Sequence, residues 1–372
     1  MKNLLTILLI LCFSTAFAQQ ESDCFVVSKI SLKGNKVTKL STIQREMLFH
    51  EGDTICDMEV VKQSRENLLN TSLFNFVDFD WDDDGPRAKQ LTISMVERWY
   101  LWPIPYLAYA DRNLRSWFEA NDITRLSYGF DLVYGNMWGL KHELDLTIIA
   151  GYNQNYGVSY DIPYLTKRQR LGVKSTIGYT RDREVAYITQ NDKVTYFKGD
   201  SEYAHESFYA SLEPYYRFGY RNTLYLQLTY DNRSFNDSLQ KLNSDFANPE
   251  GTRFQYFTLS ATFKNDYRDD HNYPLDGHYL EFELTKIGLG LFDYAPNLFY
   301  GKLTADWYTP VIGRFYWASN LTAKLSDSNK APYFLSQGLG YRNDYVRTFD
   351  LYVVDALNYA IIKNNLKLAI LK

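Results

Sequence analysis

Side chains able to do covalent or metal chemistry are few in this chain. The histidines His50, His142, His205, His271 and His278 lie apart in sequence. There is no G-x-S-x-G turn, no H-E-x-x-H pair and no phosphate-binding glycine loop. Asp82, Asp83 and Asp84 make an acidic turn, but no calcium-loop spacing follows them, so they read as a solvated hairpin. His50 reads as a solvated residue at a helix end. What remains is Cys24 with Cys56, and a single arginine in Val346-Arg347-Thr348-Phe349 followed by a lone acid, Asp355, in an apolar run. These residues can form a disulfide and an ion pair. None of the reaction-centre motifs is present, so no enzymatic activity, no metal and no cofactor are expected, although a barrel lumen can hide an active site.

The N-terminus sets the compartment. In MKNLLTILLILCFSTAFA a lysine precedes an apolar run and a small-x-small site, Ala16-Phe17-Ala18. That is the pattern of a secretory signal peptide over 1–18, cut before Gln19. A lipoprotein site at Cys12 fits less well, because Leu11 is bulky. Export leaves Cys24 and Cys56 where a disulfide persists. They are either bridged or two free thiols, and geometry decides. No later stretch is apolar enough for a spanning helix. A formal net charge of −4 argues against nucleic acid as a partner. Aromatics reach 17 %, with 32 tyrosines, which points to the aromatic girdles of an outer-membrane barrel.

Residues 24–98 read as one small α+β domain in the order β-α-α-β-β. FVVSKISLKGN is strand-like and ends in a turn. Residues 36–53 then take a helical period, with Leu40, Ile43, Met47 and Leu48 on one face and Thr38 as N-cap. A second helix runs from Asp57 to Ser72 with Val60, Val61, Leu68 and Leu69 as its apolar stripe. Two alternating segments, 75–83 and 89–97, close the domain.

From residue 99 to 372 the period is two. Leu224, Leu226, Leu228 and Tyr230 alternate with Tyr225, Gln227, Thr229 and Asp231, and Leu280, Phe282 and Leu284 alternate with Glu281, Glu283 and Thr285. Strands of about nine to twelve residues, with connections alternating between short and long, predict an antiparallel transmembrane β-barrel. Eleven strands are expected at 101–110, 122–134, 140–150, 156–163, 170–181, 203–217, 221–233, 252–264, 277–288, 297–309 and 314–325. A twelfth follows over 351–362, carrying Asp355, and a thirteenth over 364–372.

Three segments carry a resemblance. GNKVT, IQREM, EGD and KQSRENLLNTSLFNFV, in that order within residues 34–77, resemble the POTRA domain of the BamA/TamA superfamily of outer-membrane assembly factors. NDYRDDHNYPLDGHYLEFEL (265–284) resembles that family's turn after the eighth strand. Val346-Arg347-Thr348-Phe349 resembles its V-R-G-[FY] loop motif, with Thr348 in place of glycine.

The resemblance implies a periplasmic N-terminal domain and a sixteen-strand barrel in the outer membrane, of which about thirteen strands are present, so the chain reads as truncated at its C-terminus. It implies a loop folded into the lumen, where Arg347 would need a carboxylate. Asp355 is the candidate, with Glu281 and Glu283 less well placed. It also implies a seam at the first strand, LWPIPYLAYA (101–110). Pro103 and Pro105 predict a poorly paired start there, which suits an opening seam and suits a linker equally. The implied function is capture and insertion of unfolded outer-membrane proteins, with outer-membrane lipid as surroundings and accessory assembly lipoproteins as candidate partners. The alternatives are a two-partner-type polypeptide secretion pore, or a structural or transport barrel with no client.

Overall fold

The structure, a computed structural model, describes residues 24–109, 125–166, 168, 170–199, 202–247, 251–341 and 352–369. The signal segment 1–18 lies outside them. The chain divides into two units.

The first unit comprises the residues up to Lys36 and Glu46–Glu97. It contains β1 (Phe25–Lys33), β2 (Thr54–Ile55), α2 (Met58–Asn70), β3 (Phe74–Asp83) and β4 (Ala88–Glu97). The sheet order is β2-β1-β4-β3, with β1 and β4 parallel and the other pairs antiparallel. Val27, Leu68, Val77, Leu91 and Ile93 form its fully buried core. Helix α2 starts where Asp57 accepts a hydrogen bond from the Glu59 N–H at 2.8 Å, satisfying one of the free donors of the first turn. Cys24 and Cys56 are joined by a disulfide across 32 residues, linking the start of β1 to the residue after β2.

The expected first helix is much shorter than 36–53. It is α1 (Leu40–Gln44), its N-cap residue is Lys39 without a side-chain cap, and Leu40 is exposed. Thr38 does not cap it, because its hydroxyl accepts from Asn136 Nδ2 at 2.9 Å. The order β-α-α-β-β also gains β2 between the helices. Residues Val37–Arg45 belong to the second unit, not to a continuous 24–98 domain. There, Thr42 Oγ1 donates to the Gly139 carbonyl at 2.9 Å and the Arg45 guanidinium stacks 3.2 Å from the Tyr164 ring centre.

The rest of the second unit contains β5 (Leu101–Tyr109), β6 (Leu126–Met137), β7 (His142–Gly151), β8 (Gln154–Ile162), β9 (Leu171–Asp182), β10 (Glu184–Gln190), β11 (Lys193–Lys198), β12 (His205–Phe218) and β13 (Asn222–Phe235). It continues with α3 (Asp237–Leu242), β14 (Arg253–Asp266), β15 (Gly277–Ile287), β16 (Leu298–Ile312), β17 (Phe315–Ser326), β18 (Gln337–Leu339), β19 (Val354–Asp355) and β20 (Tyr359–Leu368). Twelve of these strands form one antiparallel meander, from β5 to β9, through β12 to β17, to β20. Hairpins β10–β11 and β18–β19 are separate two-stranded sheets in the connections.

All eleven strands expected between 101 and 325 are present. The twelfth and thirteenth are not: among the described residues of 351–362 and 364–372 the large sheet has the single strand β20, so the described sheet has twelve strands and not thirteen. Asn364 and Asn365 look like a break in the sequence but stay in the ladder, opposite Ser319 and Ala318. The strand begins where the Asn358 side chain accepts from the Ser326 N–H at 2.6 Å.

The two faces of this sheet are inverted relative to a soluble domain. Leu226, Leu228, Leu259, Phe282, Leu284, Trp307 and Trp317 are exposed. On the opposite face Lys264 pairs with Glu281 at 3.4 Å, Lys174 with Asp145 at 3.9 Å, and Tyr300 donates to Glu283 at 3.0 Å. Apolar side chains outward and paired charges inward suit a wall with hydrocarbon outside it. The sheet is curled. Thr189, between β9 and β12, bonds Tyr333, between β17 and β20. Flat, those connections would stand more than about 20 Å apart at ordinary strand spacing.

Candidate functional site

The candidate working parts are the sheet edges, the loop base around Asp355 and the inner face. In the first unit β3 pairs only with β4, so its other side is a sheet edge, on which the Val77 carbonyl is already taken by Arg65 Nε at 2.6 Å. An extended polypeptide can satisfy such an edge whatever its side chains. In the large sheet, β5 and β20 are the end strands.

Strand β5 is paired with β6 along its whole length, from Leu101 opposite Tyr134 to Tyr109 opposite Leu126. The expectation of a poorly paired start is therefore corrected. The prolines act on the other side. Gly135 N–H donates to the Tyr100 carbonyl at 2.9 Å, which makes Leu101, Pro103 and Pro105 the positions whose nitrogens point away from β6. Both missing donors fall on the open edge, the placement a sheet tolerates.

Val346, Arg347, Thr348 and Phe349 lie outside the described residues. Asp355 is described, and its surroundings differ from those expected. It sits on β19, opposite Gln337 of β18, not on a strand of the large sheet. Its Oδ1 accepts from Thr189 Oγ1 at 3.0 Å and from the Tyr341 hydroxyl. Burial first, and then the bond to Asp355, push the Tyr341 phenol above its ordinary pKa.

Val353 N–H adds a bond to the Asp192 carbonyl at 2.9 Å. The hairpin β10–β11 is thus the partner of this loop base. Sequence reasoning missed it. The signal was there in EVAYITQ and KVTYFK on either side of Asn191-Asp192, whose φ angles of 52° and 59° are those of a two-residue hairpin turn.

The connections at this end also share an apolar cluster of Phe235, Leu239, Phe246, Phe254, Tyr256 and Tyr333, with Val185, Phe197, Ile287 and Phe334 packed against it. Phe235 and Phe246 meet edge to face at 5.0 Å. Four connections contribute to it, those after β9, β13, β15 and β17.

No family model matches the sequence, and no curated protein matches it. Solved structures do match. CdiB from Escherichia coli aligns with a TM-score of 0.55 at 12 % identity, over 94 % of this chain and 62 % of that one. CdiB from Acinetobacter baumannii aligns at 0.50 and 13 %, over 93 % and 61 %. A crystal structure of BamA from Haemophilus ducreyi lacking POTRA domains 1–3 aligns at 0.49 and 17 %, over 92 % and 66 %. The large sheet has the fold of the two CdiB structures. The chain spans less than two thirds of the length of each solved structure.

Within that fold the inner face is lined by paired charges and by tyrosines lying on glycines. Tyr209 lies where a Cβ on Gly178 would be, and Tyr215 covers Gly172. Tyr215 also donates to Asp161 at 2.9 Å. Glu281 and Glu283, the less well placed candidates for Arg347, already have partners. Glu281 pairs with Lys264, and Glu283 accepts from Thr285 at 2.7 Å as well as from Tyr300. Among the described residues no group of three or more His, Cys, Asp or Glu side chains could hold a metal ion.

Proposed function

We propose that this chain is an outer-membrane protein assembly and insertion factor. Its N-terminal unit would be a POTRA-like periplasmic module that captures unfolded barrel proteins at a strand edge. Its large sheet would cross the outer membrane and offer a further edge to them. The observation that carries this reading is the union of an inverted, membrane-type sheet with strand edges open for polypeptide addition in both units. Binding would use main-chain hydrogen bonds, and no covalent step or cofactor is required.

A second reading, a polypeptide secretion pore of the two-partner type, draws on the TM-score of 0.55 with CdiB, a likeness of fold. Depleting the protein from its native cell and quantifying the outer-membrane proteome separates the two. A general fall in folded barrels is expected for an insertion factor. Loss of one secreted polypeptide, with barrels intact, points to the pore. No change in either would discard both.

A further inference from the structure

The strand register can be read sideways, row by row, across the outward face of β8, β9, β12, β13 and β14. One row runs Val158, Ile177, Ala210, Tyr230, Phe257. The next row, two residues toward the β10–β11 hairpin, runs Tyr156, Tyr179, Phe208, Asn232, Gln255. Here the side chains on β8, β9 and β12 are aromatic and those on β13 and β14 are amides, the mixed composition of a membrane–water boundary. The row after that runs Gln154, Arg181, Glu206, Ser234, Arg253. It stands about 7 Å further along the strands, where headgroups begin.

This polar row carries more positive charge than it neutralises. Arg181 binds Glu206 Oε1 through Nη2 at 2.7 Å and Nε at 2.9 Å. Arg183, one position beyond β9, joins it on the Tyr203 ring. The two guanidinium carbons lie 4.7 Å and 4.1 Å from the ring centre, Arg181 being the nearer. Among the described residues neither Arg183 nor the exposed Arg253 pairs with a carboxylate. Glu206 is the one acid of this row; Arg181 binds it, Arg253 stands two strands away, about 10 Å at ordinary strand spacing, and Arg181 and Arg183 both lie on the Tyr203 ring. Planar guanidiniums match phosphate oxygens in pairs. A soluble anion would have no reason to sit on the outward face directly above an aromatic girdle, whereas a lipid headgroup is there by construction.

We propose that Arg181, Arg183 and Arg253 form a binding site for the phosphate groups of an outer-leaflet lipid. Glu206 orients Arg181, and the Tyr203 ring contacts both Arg181 and Arg183. The assignment to the outer leaflet rests on the proposed function, which puts the N-terminal unit in the periplasm.

The test uses the full chain folded in detergent, titrated separately with bisphosphorylated lipid A, with dephosphorylated lipid A and with inorganic phosphate. Bound lipid is read by native mass spectrometry. The bisphosphorylated lipid should bind at least about tenfold more tightly than the dephosphorylated one, the scale of one charge-assisted hydrogen-bond pair. Arg183→Gln should lose about tenfold of that preference, and Arg183→Lys should recover part of it. Arg183 is the residue to change, because Arg181→Gln would strand Glu206 and endanger folding. Unaltered heat-modifiable mobility on electrophoresis verifies that each variant is folded.

Equal binding of the two lipids would overturn the proposal. So would an unchanged preference in Arg183→Gln, or displacement of the lipid by equimolar inorganic phosphate. Lys193→Cys, at the tip of the β10–β11 hairpin, then checks the leaflet with an impermeant maleimide on intact cells. Labelling of intact cells supports it. Labelling only after permeabilisation overturns the outer-leaflet assignment and the proposed orientation, and leaves the micelle result standing as a separate readout.

Discussion

Thr189 and Asp355 are 166 residues apart and joined by a 3.0 Å hydrogen bond. The bond ties the β10–β11 hairpin to the base of the long connection before β20. Asp355→Ala should loosen that base by about 1 kcal/mol, the net worth of an ordinary hydrogen bond. Amide exchange in residues 337–339 and 353–355 should speed up while the large sheet stays protected. Unchanged exchange would mean that the tie is not what holds the hairpins together.

Pro103 and Pro105 remove two donors from the open edge of β5. Edges of this kind are blunted in proteins that must avoid pairing with themselves. Replacing both by valine should restore the donors and raise the fraction of detergent-stable dimers on native electrophoresis. If the variant stays as monomeric as the parent, the prolines do not guard the edge.

Leu228 faces outward and Gln227 inward in the middle of β13. Leu228→Arg should cost about 2–4 kcal/mol in urea unfolding from phospholipid vesicles, the range for a cation near the bilayer midplane. Gln227→Arg should cost far less. Equal costs would contradict the assignment of faces.

His271 lies in the turn between β14 and β15, near Asp266, Asp270, Arg268 and Arg221. Burial pushes its imidazole below the ordinary 6.5, with Asp266 opposing and the arginines assisting. The folded state therefore holds fewer protons on this group than the unfolded state does. Its contribution is fully present above pH 6.5 and is lost as pH falls toward the lower folded value. Melting curves across that window should show a steeper acid loss in the parent than in His271→Asn. Parallel curves would exclude the histidine as a source.

The Cys24–Cys56 disulfide closes a 32-residue separation in the first unit. Replacing both cysteines by serine should destabilise that unit by about 3 kcal/mol and leave the large sheet unaffected. Two melting transitions, of which only one responds to reducing agent, would verify this.

Much of the large sheet was legible because a strand that is charged inside and apolar outside alternates visibly, as in Leu224 to Asp231. Strand β20 was misread because Asn364-Asn365 has the composition of a turn, and only pairing with β17 keeps it extended. Helix α1 was overdrawn because the apolar spacing of Leu40, Ile43, Met47 and Leu48 satisfies a helical period. The hydroxyl of Thr38 is engaged by a side chain 98 positions away, which no local window contains. The partners of Asp355 were hidden for the same reason, since parity along one strand says nothing of a hairpin that reaches over from another connection.

The apolar cluster between the connections sets an order of assembly. Phe235 and Phe334 are 5.3 Å apart in space, yet Phe334 cannot arrive until β14 to β17 have been laid down and the sheet has curled. Contacts so distant in sequence form late. The aromatic rings between 235 and 256 can pack on one another and on the β10–β11 hairpin before then, but they lack the cover of Tyr333 and Phe334. The nearly complete sheet is therefore the stage at which this chain is most prone to stick to its neighbours.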